Sequence, residues 1–120
     1  MCGIFGFILK DNYHDDKEIF INKFKSSLYL RGPDSFKYKS INETVIGISR
    51  LSIVDINHDT QPFFLENHEI TAVFNGEIYN YKNLRKLLLT KGIKLKTSSE
   101  IEVITNLYGI YKEKFVDYLE

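Results

Sequence analysis

The sequence begins "MCGIFGF", and its single cysteine stands at position 2. A thiol is a nucleophile where its surroundings favour the thiolate, and otherwise a small buried hydrophobe. One residue from the chain terminus, ordered packing is hardest to obtain, so burial alone explains Cys2 poorly. Three further places carry groups capable of chemistry: Arg50, the dipeptide Asn75-Gly76, and Glu100. Taken singly, each has an ordinary reading. Arg50 reads as a surface charge, Asn75-Gly76 as a hairpin turn, and Glu100 as an acid complementing the first turn of a helix. "RGPDS" (31–35) reads as a turn, with Pro33 fixing its own φ.

The elements that must position these groups follow from periodicity. "GIFGFIL" (3–9) is a continuous apolar run, the pattern of a strand buried on both faces. Phe20, Phe24 and Leu28, widened by Ile21, predict a helix over "KEIFINKFKSSLY". "FKYKS" and "TVIGIS" bracket "INE" as a hairpin, and "LSIVD" extends or follows its second strand. "EITAVF" is a further strand ending at Asn75-Gly76. A helix opens at Asn80, turns Leu84, Leu87 and Leu88 to one side, and stops at Gly92. "IKLK" alternates like a short strand. Ser99 and Glu102 have capping-box spacing and open a last helix running through Ile101, Ile104, Tyr108, Tyr111, Phe115 and Leu119. No stop signal follows Leu119, so the chain reads as a piece of something longer.

Composition narrows the class. A chain of 120 residues, 43% apolar and 27% charged, suits one soluble globular domain at most. Sixteen basic residues balance sixteen acidic ones, which leaves no electrostatic footprint for nucleic acid or an anionic membrane. One cysteine excludes an internal disulfide, and three scattered histidines offer no zinc-type cluster. No apolar run is long enough to span a bilayer and no signal peptide precedes the first strand, so the expected location is cytoplasmic. Mixed strands and helices with hairpins favour an α+β layered domain.

Order and spacing say more than any single residue. "MCGIFGF", "RGPDS", "RLSIVD", "QPF", "FNGEIYNY" and "SSEIEVI", in that sequence, resemble the glutamine amidotransferase domain of the asparagine-synthetase family. That is a class II, N-terminal-nucleophile (Ntn) glutaminase, and the segments "RLSIVD" and "FNGEIYNY" are specific at family level. The resemblance implies an Ntn-hydrolase-type four-layer αββα sandwich of antiparallel sheets. It also implies that residues 1–120 are the N-terminal part of a type-2 amidotransferase domain, with its remainder and a synthetase domain absent. The uncovered face is expected to recruit a second copy of the chain, as a homo-oligomer, or to leave the piece unstable.

The chemistry so implied explains the opening residues. With Met1 removed, Cys2 supplies the attacking thiol and its own α-amine the general base, an amine that titrates at roughly 8. Gly3 leaves room for close approach of substrate and backbone. By resemblance, the Asn75 side-chain amide and the Gly76 N–H stabilise the tetrahedral oxyanion. Arg50 clamps the glutamine α-carboxylate as a planar bidentate donor. Leu51, Ser52, Ile53 and Val54, together with Glu77, line the same pocket. Glu100 stands where the family usually has an aspartate for the α-ammonium, and Leu30 stands where a histidine is common.

The expected function is therefore hydrolysis of glutamine to glutamate and ammonia. The ammonia is expected to serve ATP-dependent conversion of aspartate to asparagine in the C-terminal synthetase domain. This domain itself is expected to hold no metal or cofactor; ATP and Mg2+ belong to the synthetase domain. Two alternatives stay open at this point: an amidotransferase serving another ammonia acceptor, and an inactive glutamine-binding regulatory module. A structural domain without a site requires six ordered motif matches to be accidental.

Overall fold

The computed structural model describes residues 2–10, 16–51 and 61–120. It falls into two compact units, Met1–Pro62 with Val73–Asn75, and Phe63–Ala72 with Gly76–Glu120.

In the first unit, strand β1 (Gly3–Ile8) is followed by helix α1 (Lys17–Leu28) and a hairpin of β2 (Ser35–Ile41) and β3 (Thr44–Arg50). The sheet order is β1-β3-β2, antiparallel throughout. The hairpin appears where the alternation predicts it, turning through Asn42 and Glu43 with Asn42 in the left-handed region at φ 51°. Phe5, Ile21 and Val45 form the buried centre, with Phe7, Phe24, Leu28 and Phe36 packed around them. The Phe5 ring stacks on Phe24 and Phe36 at centroid distances of 4.9 and 5.1 Å. Each such pair adds about 0.5–1.5 kcal/mol beyond the area it buries.

β1 corrects the expectation of a strand buried on both faces. Phe5 faces α1, while Ile4 and Ile8 on the other face are 49% and 71% exposed. The run is apolar throughout, yet its burial alternates with the pleat because α1 covers one side only. Gly3 differs too: the space a Cβ would take there is filled by Leu28 of α1, at 2.8 Å.

In the second unit, β4 (Phe63–Leu65) pairs antiparallel with β5 (Ile70–Ala72), followed by α2 (Tyr81–Thr90) and α3 (Glu100–Tyr111). β4 had no counterpart in the periodicity, and the strand expected over 69–74 is shorter than predicted. Glu69 sits in the left-handed region at φ 52°, where a strand cannot begin. At the other end, the Phe74 N–H bonds the Gln61 side-chain oxygen at 2.6 Å instead of a neighbouring strand.

α2 begins after Asn80 and ends at Gly92 as expected, burying Leu84 and Leu88. Gly92, at φ 81°, donates to Leu89 O, and Ile93 N donates to Leu88 O. This paired closure of the last turn needs a left-handed residue, which glycine adopts without penalty. The strand expected over "IKLK" does not form. Lys96 N and Thr97 N bond the Glu102 carboxylate, each at 2.7 Å, so neither amide joins a ladder. For the same reason the predicted capping box is not made: Ser99 is the N-cap of α3, but its side chain makes no capping bond.

The last helix also stops earlier than predicted. Lys112 takes φ 53°, and a 3-10 helix follows over Lys112–Tyr118. Across this break Tyr108 meets Phe115 edge-on and Tyr111 stacks on Tyr118. The aromatic residues that read as one helical stripe instead pack on one another.

Candidate active site

Cys2 precedes β1, and the antiparallel register brings it to the end of β3. Gly3 pairs with Ser49, so one further step sets Cys2 opposite Arg50, on the face away from α1. The Cys2 Sγ lies 3.9 Å from the carbonyl oxygen of Leu51, within reach of a weak thiol donor. The Cys2 carbonyl accepts two hydrogen bonds, from Asn75 Nδ2 at 3.0 Å and from Arg31 Nε at 3.4 Å. Cys2, Arg50 and Leu51 are half-buried and Asn75 is exposed. The first unit thus gathers Cys2, Arg50, Leu51 and Asn75 at one end of its sheet.

"RGPDS" is more than a turn. Arg31 N and Gly32 N both bond Leu28 O at the end of α1, and Asp34 N bonds Arg50 O at 3.0 Å. Between them the loop presses on β3. The buried Ser49 hydroxyl donates to Gly32 O at 2.7 Å. A Cβ on Gly32 would stand 2.2 Å from Ser49 O and 2.5 Å from Arg50 N, so any side chain there forces loop and strand apart. The loop fixes the main chain of Arg50 and carries Arg31 to the Cys2 carbonyl. Arg31 received no role from sequence reasoning, although the motif that contains it was the available signal. Leu30, just before it, is 92% exposed.

The second unit holds Gly76, Glu77 and Glu100. Asn75-Gly76 opens no hairpin; the chain runs on to α2 instead. Gly76 and Glu77 are exposed, whereas Ile78 is buried. Glu100 is the first residue of α3, and its Oε1 accepts a hydrogen bond from Ile78 N at 3.1 Å. Within the second unit, that bond ties Ile78 of the "FNGEIYNY" motif to Glu100 of the "SSEIEVI" motif. Ser52, Ile53 and Val54 lie outside the described residues. Among the described residues, no cluster of three or more His, Cys, Asp or Glu side chains could hold a metal ion. No helix among them is long and apolar enough to cross a membrane.

Over residues 1–120 the chain matches the family model of the glutamine amidotransferase domain. The chain belongs to that family. It is similar to asparagine synthetase [glutamine-hydrolyzing] 1 of Bacillus subtilis, 38% identical over 116 residues, which is 95% of this chain and 18% of the relative. Asparagine synthetase [glutamine-hydrolyzing] 1 of Arabidopsis thaliana is 35% identical over 120 residues, all of this chain and 20% of the relative. The amidotransferase domain described here thus spans about a fifth of the length of these relatives. Its α+β architecture with antiparallel sheets is the class the motifs implied.

Proposed function

We propose that this domain hydrolyses the side-chain amide of glutamine with Cys2 as the nucleophile. The observation that carries the reading is the bond from Asn75 Nδ2 to the Cys2 carbonyl, which holds a neutral donor beside the residue that attacks. An Asn amide has two N–H bonds; one is engaged by Cys2 O, and the other is left for an oxyanion.

With Met1 removed, the Cys2 thiol passes its proton to the α-amine and the sulfur attacks the amide carbon of glutamine. The resulting oxyanion accepts hydrogen bonds from Asn75 Nδ2 and Gly76 N–H. Collapse breaks the C–N bond, the protonated amine returns its proton to the leaving nitrogen, and ammonia departs from a glutamyl thioester. Water, deprotonated by the same amine, attacks the thioester and releases glutamate and the thiol. Arg50 holds the substrate α-carboxylate, and Glu100 holds its α-ammonium. The motif resemblance assigns Leu51 and Glu77, with Ser52, Ile53 and Val54, to glutamine binding as well. In the longer protein the ammonia converts aspartate to asparagine in a synthetase domain that uses ATP and Mg2+. The names of both relatives, which pair glutamine hydrolysis with asparagine synthesis, support that acceptor.

The test is glutamate release by the protein carrying Cys2→Ala. The variant is expected to fold and to lose glutamine hydrolysis, and Cys2→Ser to retain at most a trace, because a hydroxyl is far harder to deprotonate. Substantial turnover by folded Cys2→Ala protein would sink the assignment.

A further inference from the structure

Glu102 is a charged side chain only 2% exposed, set among the buried Ile101, Val103 and Leu107 of α3. A carboxylate in such a place is costly unless its oxygens are fully bonded. Its partners lie in the loop that leads into α3. Oε1 accepts from Lys96 N at 2.7 Å, and Oε2 accepts from Thr97 N and from the Thr97 hydroxyl, both at 2.7 Å. Since the Thr97 proton is committed to Glu102, the 2.7 Å contact between Thr97 Oγ1 and Ser99 Oγ has Ser99 as its donor. Ser99 N also donates to Thr97 Oγ1, at 3.2 Å. From the α2 side, Arg85 Nη1 donates to Thr97 O at 2.7 Å and the Tyr81 hydroxyl donates to Ser98 O. Residues 96–99 are held from two helices, and the next residue is Glu100.

We propose that Glu102 is a positioning residue for glutamine binding. Its carboxylate clamps the loop before α3 and so sets the place of Glu100, whose Oε1 meets Ile78 N. This inference rests on the reading that Glu100 takes the substrate α-ammonium. Neither an apolar nor an amide side chain can replace the clamp. An apolar residue leaves two backbone N–H groups without acceptors. Glutamine keeps the volume but turns an NH2 donor towards one of those same N–H groups. Either change loosens the loop without touching the thiol, its amine or the oxyanion donors.

The experiment measures glutamine hydrolysis against glutamine concentration in the full-length protein carrying this domain. Glu102→Gln is expected to raise KM about tenfold and to leave kcat within about twofold, the signature of lost ground-state binding. In a Glu100→Gln background the same change should add nothing to KM, because the group it positions is already disabled. A merely structural role predicts a lower melting temperature and fewer active molecules at unchanged KM, and that result overturns the inference. Additive KM effects in the double variant overturn it as well. If Glu102→Gln does not fold, Thr97→Val gives the readout: a smaller rise in KM, most of it recovered by Thr97→Ser, which keeps the hydroxyl. No rise with Thr97→Val counts against the clamp. Undiminished hydrolysis by Cys2→Ala protein defeats the glutaminase reading and this inference with it, whereas an unmoved KM in an active, Cys2-dependent protein defeats the inference alone.

Discussion

Asn75 Nδ2 donates to the Cys2 carbonyl oxygen across 3.0 Å, a bond between residues 73 positions apart in the chain. In the proposed mechanism this bond orients the side-chain amide before any substrate arrives, and preorganisation of that kind makes an oxyanion donor effective. Asn75→Ala is accordingly expected to lower kcat about 10²- to 10³-fold with a much smaller change in KM. Steady-state glutaminase kinetics check this. Loss confined to KM would place Asn75 in substrate binding instead.

Arg50 should show the opposite split. Its main chain is held along the β2 side, by pairing with Ser35 and by Asp34 N on its carbonyl, so the side chain leaves the sheet end from a fixed backbone. Arg50→Lys replaces a planar fork with a point charge, and a bidentate carboxylate contact becomes at best a single one. The expected result is a KM for glutamine raised about tenfold or more at nearly constant kcat. A variant that keeps the parental KM would remove Arg50 from the pocket.

Gly32→Ala tests whether "RGPDS" is a structural lock on β3. The added Cβ meets backbone atoms of Ser49 and Arg50, not the end of a flexible side chain, so neither strand nor loop can yield cheaply. Overpacking of this kind costs typically about 1–3 kcal/mol, and the upper end is expected here. Urea unfolding measures it. A loss below about 0.5 kcal/mol would mean that the loop is not fixed against the strand.

What could be seen in the sequence was local. The β2–β3 hairpin, α1, and α2 with its stop at Gly92 all rest on patterns within a dozen residues, and the structure has each of them. The features that differed depend on partners distant in the chain or on backbone amides that no side-chain pattern encodes. "IKLK" alternates correctly, but the Glu102 carboxylate takes two amides near its end. β4 is three residues long, too short for any periodicity. β1 looks uniformly apolar, although α1 covers only its Phe5 face. At the candidate site, Cys2, Arg50 and Asn75 were singled out through ordered motifs; the β1–β3 register brings Cys2 beside Arg50, and Asn75 joins them through its bond to the Cys2 carbonyl. Arg31 was hidden in a motif that looked like a turn, and Glu102 in one that looked like a helix cap.

The remaining prediction concerns the residue ahead of the nucleophile. In the proposed chemistry the base is the α-amine of Cys2, and it exists only once Met1 is gone. While Met1 is attached, that nitrogen is a peptide amide with no lone pair available for a proton, and general-base assistance worth about 10²- to 10⁴-fold is lost. Active protein is therefore expected to show the mass of the chain less one methionine. Protein in which removal has been blocked should lose glutamine hydrolysis while keeping its fold. If the longer protein carries the proposed synthetase domain, ammonia supplied directly should still support its reaction, because that route bypasses Cys2. Normal glutamine hydrolysis by protein that retains Met1, verified by mass on the same sample, would show that the amine is not the base, and the proton from the thiol would need another acceptor.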